Sequence, residues 1–549
     1  MTPLACASIV ARAAARSAER VFREAAGMIA VTSYVGGRWI DGGRTVARLV
    51  NPATEEPVAE VRAGGIDFDE VLRFARERGG PALRAMRFAE RAALLEAASK
   101  ALHAVRDALL EASIVNGGAT RADAKFDVDG AVGTLAYYSG VGRRLGDGRF
   151  LVEGEGEALG RGARFWGRHV RLPLTGVAIH INAFNFPAWG LAEKAAVALL
   201  AGVPVVVKPA TSTALVAWRC MQRIVEAAGL PEGAMQLVCG PIDGLLERLG
   251  PHDAIAFTGS AATAAHLRAL PAVTRLGTRL NVEADSLNAF VLGPDVEPGS
   301  ETWSMFVRDA VREMTQKTGQ KCTAVRRILV PRARLDEVGS ALGEELRAVR
   351  IGNPALDEVR MGPLATASQL ADFREGVRRL EASGARLLLG GTERPQVVGV
   401  PEGRGFFVAP TLLRADRPRE ALAVHEHEVF GPCATLMPFE DVEDAIALVA
   451  LGRGGLVASA YTDDRELVEQ LLLGLGPWHG RLFVGSARIA DQAISPGTVL
   501  PSCVHGGPGR AGGGEELGGE RALAFYTQRV AVQGDRALIE RLVGARNEA

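Results

Sequence analysis

The chain has 549 residues, more than one ordinary hydrophobic core accommodates, so two or three domains are expected. Its 63 Lys and Arg against 64 Asp and Glu leave a formal charge of −1, and net charge therefore favours neither a nucleic-acid partner nor a membrane surface. A hydrophobic fraction of 48% with 23% charged residues is that of a soluble globular protein, and six scattered cysteines without a CxxC pair exclude a disulfide framework. The nine histidines form no HExxH spacing, so no metal site is expected, and free thiols point to a reducing cytoplasm. The longest apolar stretch, Ala195 to Val207, is too short for a membrane span and is broken by Gly202 and Pro204.

In chain order, Arg12, Arg16, Arg20 and Arg23 first form a basic stripe among alanines. Such a stripe resembles an organellar targeting peptide, but Glu19 and Glu24 favour an overlong start or loose extension, with Met28 opening the protein proper. From 87 to 117, apolar residues (Leu94, Leu95, Ala98, Leu102, Leu109, Leu110) recur at helical spacing with no Pro and no Gly before Gly117. The polar, Gly-rich segment 150–172 reads as a β-like hairpin that pairs with another subunit, or as a surface loop. Strands are expected at 177–182, 203–208, 235–239 and 254–257, with helices at 189–200, at 216–228 and after each of the last two. This alternation predicts an α/β fold with parallel strands, whose ligands sit at the strands' carboxyl ends. Asn185, Lys208 and Thr258 each fall just past such an end. A second unit begins near 284, with helices at 302–315 and 367–382 and strands at 327–330, 434–437 and 456–460.

Cys322 sits between polar Gln320-Lys321 and Thr323, whereas Cys220, Cys239, Cys433 and Cys503 lie in or beside apolar runs and read as structural. An ordinary thiol is only about 3% thiolate at pH 7, so a nucleophilic cysteine needs a helix end or a cation nearby. Glu283 is the candidate general base, with Asp285 its rival two residues on. Asn185, together with the Cys322 backbone N–H, is the candidate oxyanion donor. The run Gly507-Pro508-Gly509-Arg510-Ala511-Gly512 matches GxGxxG but lacks the strand–helix context of a dinucleotide fingerprint, and is read as a Gly-rich loop.

These elements, with Lys208-Pro209-Ala210, Phe257-Thr258-Gly259-Ser260 and Glu428-Val429-Phe430-Gly431-Pro432, resemble the aldehyde dehydrogenase superfamily over residues 31–535. The resemblance implies a Rossmann-like cofactor domain (31–149 and 173–283), an α/β catalytic domain (284–519) and a small β oligomerisation element (150–172 and 520–540), after an extension at 1–30. It implies that Cys322 is the nucleophile, Glu283 the base for deacylation and Asn185 the oxyanion donor. Lys208 would contact the adenosine ribose, Gly259 and Ser260 the pyrophosphate, and Glu428 and Phe430 the nicotinamide ribose. Thr211 and Ser212 stand where NAD-preferring relatives carry a glutamate, so NADP is expected, with NAD as the alternative.

The variants Glu283-Ala284-Asp285-Ser286, Ala264 in place of the family's glycine, and His505 to Gly514 resemble the subgroup that oxidises CoA-tethered semialdehydes in aromatic degradation. Glu283 weighs against the acylating branch, which passes the acyl group to CoA; simple aldehydes are a further alternative. A binding protein that has kept the fold without catalysis is the reading from another class. The expected partner is a small molecule, in a homodimer or tetramer.

Overall fold

The computed structural model describes residues 28–544; the basic stripe of the first 27 residues lies outside them. Two seven-stranded sheets dominate, joined by the segment that leaves the first at Glu283 and enters the second at Ala289.

The first sheet runs, in spatial order, Arg279–Glu283, Ala254–Thr258, Ala178–Ile181, Val205–Lys208 and Met235–Leu237 in parallel. The antiparallel strands Ser33–Val35 and Arg38–Ile40 complete it. The parallel strands are short apolar runs because helices cover both faces; Val205, Val206 and Val207 are fully buried. Helices Trp189–Ala201 and Ala214–Ala227 follow their strands as the pattern predicts. After Met235–Leu237 the expected helix is absent, and a single 3₁₀ turn, Leu246–Arg248, takes its place. Gly240, Pro241, Gly244 and Gly250 in that connection are poor helix formers. The long helix expected at 87–117 is likewise two, Phe88–Ala104 and Arg106–Gly117, turning at Val105.

The second sheet orders Arg386–Leu389, Thr411–Arg414, Cys433–Phe439, Arg327–Pro331, Ala289–Leu292, Gly455–Tyr461 and His479–Gly485, all parallel except the first. A third, antiparallel sheet joins Leu151–Ala158 and Phe165–Pro173 to Thr527–Asp535 from the far end of the chain. The segment 150–172 is thus a hairpin already paired within its own chain. Phe165, at the start of the central strand, is half exposed.

The carboxyl ends of the first sheet face the amino ends of the second, and this seam holds the candidate site. Asn288, fully buried just before Ala289, fastens the seam. Its amide donates to the carbonyls of Cys322 (2.7 Å) and Ala324 (2.9 Å). Its carbonyl oxygen accepts from Ser286 Oγ (2.5 Å) and the backbone of Leu456 and Val457 (3.2 and 3.0 Å). Asn288→Ala would orphan several buried groups, each costing about 1–3 kcal/mol. We expect a lowered urea midpoint with an unchanged m-value and slower turnover; an unchanged midpoint would contradict this role.

Candidate active site

Cys322 is presented by a strained turn. Helix Glu301–Thr315, capped by Ser300, ends in Gln316–Gly319, where Lys317 (φ 52°, ψ 33°), Thr318 (φ 55°, ψ 37°) and Gly319 (φ 65°) are successively left-handed. Left-handed backbone costs roughly 1–2 kcal/mol for each non-glycine residue, so contacts must hold it. The Lys317 ammonium lies 4.5 Å from the Phe186 ring centre, buried near Asp123 and Asp127. Thr318 Oγ1 donates to Gly362 O at 3.0 Å. Gly319 has no alternative, since a Cβ there would stand 2.2 Å from Gly431 O.

Arg326 ties this turn to the segment carrying Glu428. Its guanidinium donates to the carbonyls of Gly319 (3.0 Å), Lys321 (3.1 Å) and Gly431 (2.7 Å), and to Glu428 Oε1 (3.3 Å). Lys321, wholly buried, pairs with Glu313 at 2.8 Å. Glu313 in turn accepts from Ser495 Oγ and the Gly497 backbone, which fixes the loop that walls the cavity.

Cys322, Asn185, Glu283 and His505 then line one cavity with Phe126, Phe186, Trp189, Thr258, Gly497 and Val499. Glu283 closes the strand Arg279–Glu283 and is buried, with Thr258 Oγ1 3.4 Å from Oε2. His505 Nε2 lies 3.1 Å from Glu283 Oε1 and 3.9 Å from Cys322 Sγ. Asn185 donates one amide hydrogen to Gln320 O at 3.0 Å, leaving the other for an oxyanion. Burial drives the Cys322 thiol well above its ordinary value, and the Glu283 charge drives it further. For Glu283, burial pushes upward, but the His505 cation prevails and holds the carboxyl below its usual range. The same pairing holds His505 above the ordinary imidazole value despite its burial.

Behind Glu283 lies a second buried set. Lys194 Nζ is 2.9 Å from Glu193 Oε1 and 3.0 Å from Glu516 Oε2, and oxygens of Glu193, Glu283 and Glu516 fall within 4.8 Å of one another. Burial lifts the Glu516 carboxyl to about 7, against the pull of Lys194.

The residues expected to bind cofactor fall on both sides of the seam. Lys208, half-buried with its ammonium destabilised by burial, ends its strand, and Thr211–Thr213 form the next turn. Asn116 anchors that turn by donating to Ser212 O at 2.9 Å. Gly259 leaves no room for a side chain beside Phe257, and Ser260 caps helix Ala261–Arg268. Asp285, the rival carboxylate, instead accepts from Ala261 N at that helix start, 2.9 Å away. Glu428 accepts from the Ser286 backbone at 3.0 Å, and Phe430 packs edge-on to Phe184. A cation, a helix start, a carboxylate and an aromatic face along one seam suit a nicotinamide dinucleotide.

Lys194, Glu193, Glu516, Glu313 and Arg326 carry no signal along the chain that marks them for this site, whereas His505 and Lys321 stand out there only as the head of a Gly-rich run and the neighbour of Cys322. His505 heads the Gly-rich run, which packs along the strand Arg279–Glu283, with Ala284 N donating to Ala511 O and Gly514 N to Val282 O. One correction concerns cysteines. Cys220, Cys239 and Cys433 are buried, but Cys503 is exposed, because its apolar neighbours belong to a surface turn.

The paired sheets carry the fold of aldehyde dehydrogenases, and the chain belongs to the aldehyde dehydrogenase family, whose profile matches residues 39–532. Among individual relatives it is 45% identical over 478 residues to 3,4-dehydroadipyl-CoA semialdehyde dehydrogenase of Aromatoleum evansii, covering 87% of this chain and 93% of that one. Lactaldehyde dehydrogenase from Escherichia coli superposes with a TM-score of 0.80 at 25% identity, over 92% of this chain and 99% of that one. A 3,6-anhydro-L-galactose dehydrogenase solved in complex with NAP gives 0.79 at 23% identity, over 92% and 100%.

Because Glu283 raises the Cys322 thiol, Glu283→Gln is expected to speed iodoacetamide alkylation of Cys322 near pH 7.5. Each unit of pKa recovered gives about tenfold more thiolate. Slower or unchanged alkylation would show that the carboxylate does not govern the thiol.

Proposed function

We propose that this chain oxidises a CoA-linked semialdehyde, 3,4-dehydroadipyl-CoA semialdehyde or a similar intermediate of aromatic degradation, to the carboxylic acid with NADP. The observation that carries this reading is 45% identity across 87% of the chain to an enzyme of that name. The hydroxyl-bearing, uncharged Thr211-Ser212 turn after Lys208 supports NADP over NAD, since nothing there repels a 2′-phosphate.

A bound nicotinamide supplies the hydride acceptor. The Cys322 thiolate adds to the aldehyde carbon, and the free amide hydrogen of Asn185 with the Cys322 N–H holds the developing oxyanion. Loss of hydride leaves a thioester on Cys322. Glu283 then takes a proton from the water that attacks this thioester, and the acid leaves with Cys322 restored. Glu193, Glu516 and Lys194 offer the buried proton a route onward, since their polar atoms abut Glu283 in sequence of contact.

A handle as large as CoA needs space outside the cavity. Helix Arg121–Leu145 sends Phe126 into the cavity, and Arg121 and Lys125 line a groove of about 970 Å³. Gln316 lines the same groove and accepts from Lys321 at 2.8 Å, so the groove adjoins the nucleophile loop. Arg308, Arg312 and Arg360 also face it, beside Glu344, Glu345 and Asp357. Lys125 and Arg312 are exposed and form no ion pair among the described residues, which leaves them for phosphates.

NADPH formation with 3,4-dehydroadipyl-CoA semialdehyde, compared with the ring-opened phenylacetate semialdehyde and short free aldehydes, tests the reading. The first substrate is expected to prevail, with turnover abolished by Cys322→Ala and lowered about 10²–10³-fold by Asn185→Ala. Preference for the second would move the protein to the phenylacetate route; preference for free aldehydes, or formation of an acyl-CoA product, would sink the proposal. Reversing Lys125 and Arg312 to Glu together is expected to raise KM for the CoA-linked substrate by about tenfold, or ~1.4 kcal/mol. An equal rise for a short free aldehyde would remove the groove from CoA recognition.

A further inference from the structure

Thiol, imidazole and carboxylate are the ligand types of zinc sites that keep an open coordination position. Here one of each converges on a single point. The ligand atoms of Cys322, His505 and Glu283 all lie within 4.8 Å of one another, with the imidazole Nε2 3.1 Å from the carboxylate and 3.9 Å from the sulfur. Around a tetrahedral zinc, with bonds of about 2.0–2.3 Å, neighbouring ligand atoms sit roughly 3.3–3.8 Å apart. The two separations from the imidazole, 3.1 and 3.9 Å, are each within about 0.5 Å of that range. The cavity they line has room of about 40 Å³, enough for an ion and a water in the fourth position.

The arrangement is also held in place. Glu283 ends a sheet strand, the Cys322 carbonyl is fixed by Asn288, and His505 lies in the two-stranded sheet Val504–Gly506 with Glu515–Leu517. The neighbouring Glu193–Glu283–Glu516 group has no nitrogen or sulfur donor, and Lys194 already neutralises two of its members.

We propose that Cys322, His505 and Glu283 form a binding site for a zinc-class divalent cation, and that its occupancy blocks turnover by taking up the nucleophile and the base together. Binding displaces two protons: the thiol S–H and the imidazolium Nε2–H both break, the two protons leave to solvent, and the freed sulfur and nitrogen lone pairs are donated to the ion beside the Glu283 carboxylate. No oxidant or reductant is involved. Removal of the ion by a chelator reprotonates the thiol and the imidazole and restores the nucleophile and the base. The site is independent of which aldehyde the protein oxidises, and metal binding is read without turnover.

The test titrates the full chain, first stripped with a chelator, with Co²⁺ and then Zn²⁺. We expect one ion per chain, a sulfur-to-cobalt charge-transfer band, and bleaching of that band by Zn²⁺ but not by Mg²⁺. Saturating Zn²⁺ is expected to protect Cys322 from iodoacetamide, read by mass spectrometry of its peptide. Aldehyde oxidation falls in parallel and recovers on chelation. His505→Phe is expected to weaken Co²⁺ binding by at least about 100-fold, since even a partner one step removed from a metal is worth 10–100-fold. Cys503→Ser, at the exposed cysteine, should leave the spectrum unchanged. A spectrum without the sulfur band, a band lost in Cys503→Ser, or Cys322 alkylated at saturating Zn²⁺ would each overturn the proposal. Undiminished Co²⁺ binding in His505→Phe would do the same. Should His505→Phe fail to fold, the native spectrum and the alkylation readout decide alone.

Discussion

The left-handed turn at Lys317, Thr318 and Gly319 is the constraint on which the site depends. A chain leaving helix Glu301–Thr315 must reverse sharply to enter strand Arg327–Pro331, and the reversal places Cys322 at the seam of two sheets. Two non-glycine residues in this conformation are unfavourable by a few kcal/mol in total on general grounds. The turn persists because its surroundings leave it no other place. Gly431 O presses on Gly319, Arg326 gathers the carbonyls of Gly319 and Lys321, and Asn288 takes those of Cys322 and Ala324. With its backbone so fixed, Cys322 keeps its side chain free for chemistry.

The same seam concentrates buried charge. Glu283 with His505, Lys194 with Glu193 and Glu516, Lys321 with Glu313, and Arg326 with Glu428 are all largely withdrawn from water. Buried pairs are often no more stabilising than apolar replacements of equal volume, so their presence here is better related to position and chemistry than to stability. Lys321–Glu313 aligns the Cys322 loop with the wall at Ser495 to Gly497, and Arg326–Glu428 aligns it with the segment on the other side. The Glu283–His505 pair carries a pH signature. The depressed carboxyl contributes stability above its ordinary value, lost as pH falls through its folded value. The raised imidazole contributes below its ordinary value, lost as pH rises through its folded value. Both contributions are whole between about 4.3 and 6.5.

Electrostatics also separates the resting thiol from the reactive one. Among the described residues, neither a helix N-terminus nor an unpaired cation faces Cys322; burial and Glu283 instead favour its protonated form. His505, although near the sulfur, is occupied by Glu283. A thiol held this way is protected from adventitious oxidation, and its activation must accompany a change in the charges or solvent around it.

Much of this was legible in the residues themselves. Apolar runs of four or five residues alternating with helical periodicity gave the parallel sheets, because a strand covered on both faces cannot afford polar side chains. Cys322, Glu283 and Asn185 stood out as chemically apt groups in polar or strand-end settings, and the structure gathers them into one cavity. The missing helix after Met235–Leu237 and the break at Val105 show the limit of local patterns: one ignored a run of glycines, the other carried no residue signal at all. What sequence alone determined was the kind of chemistry available and the local elements that carry it, since both reside in side-chain type and short-range periodicity. Only the tertiary structure decided that His505 would join Cys322 across 183 positions, and Lys194 join Glu516 across 322. Those meetings follow from how two sheets and their connecting loops pack, and no spacing along the chain encodes a distance in space.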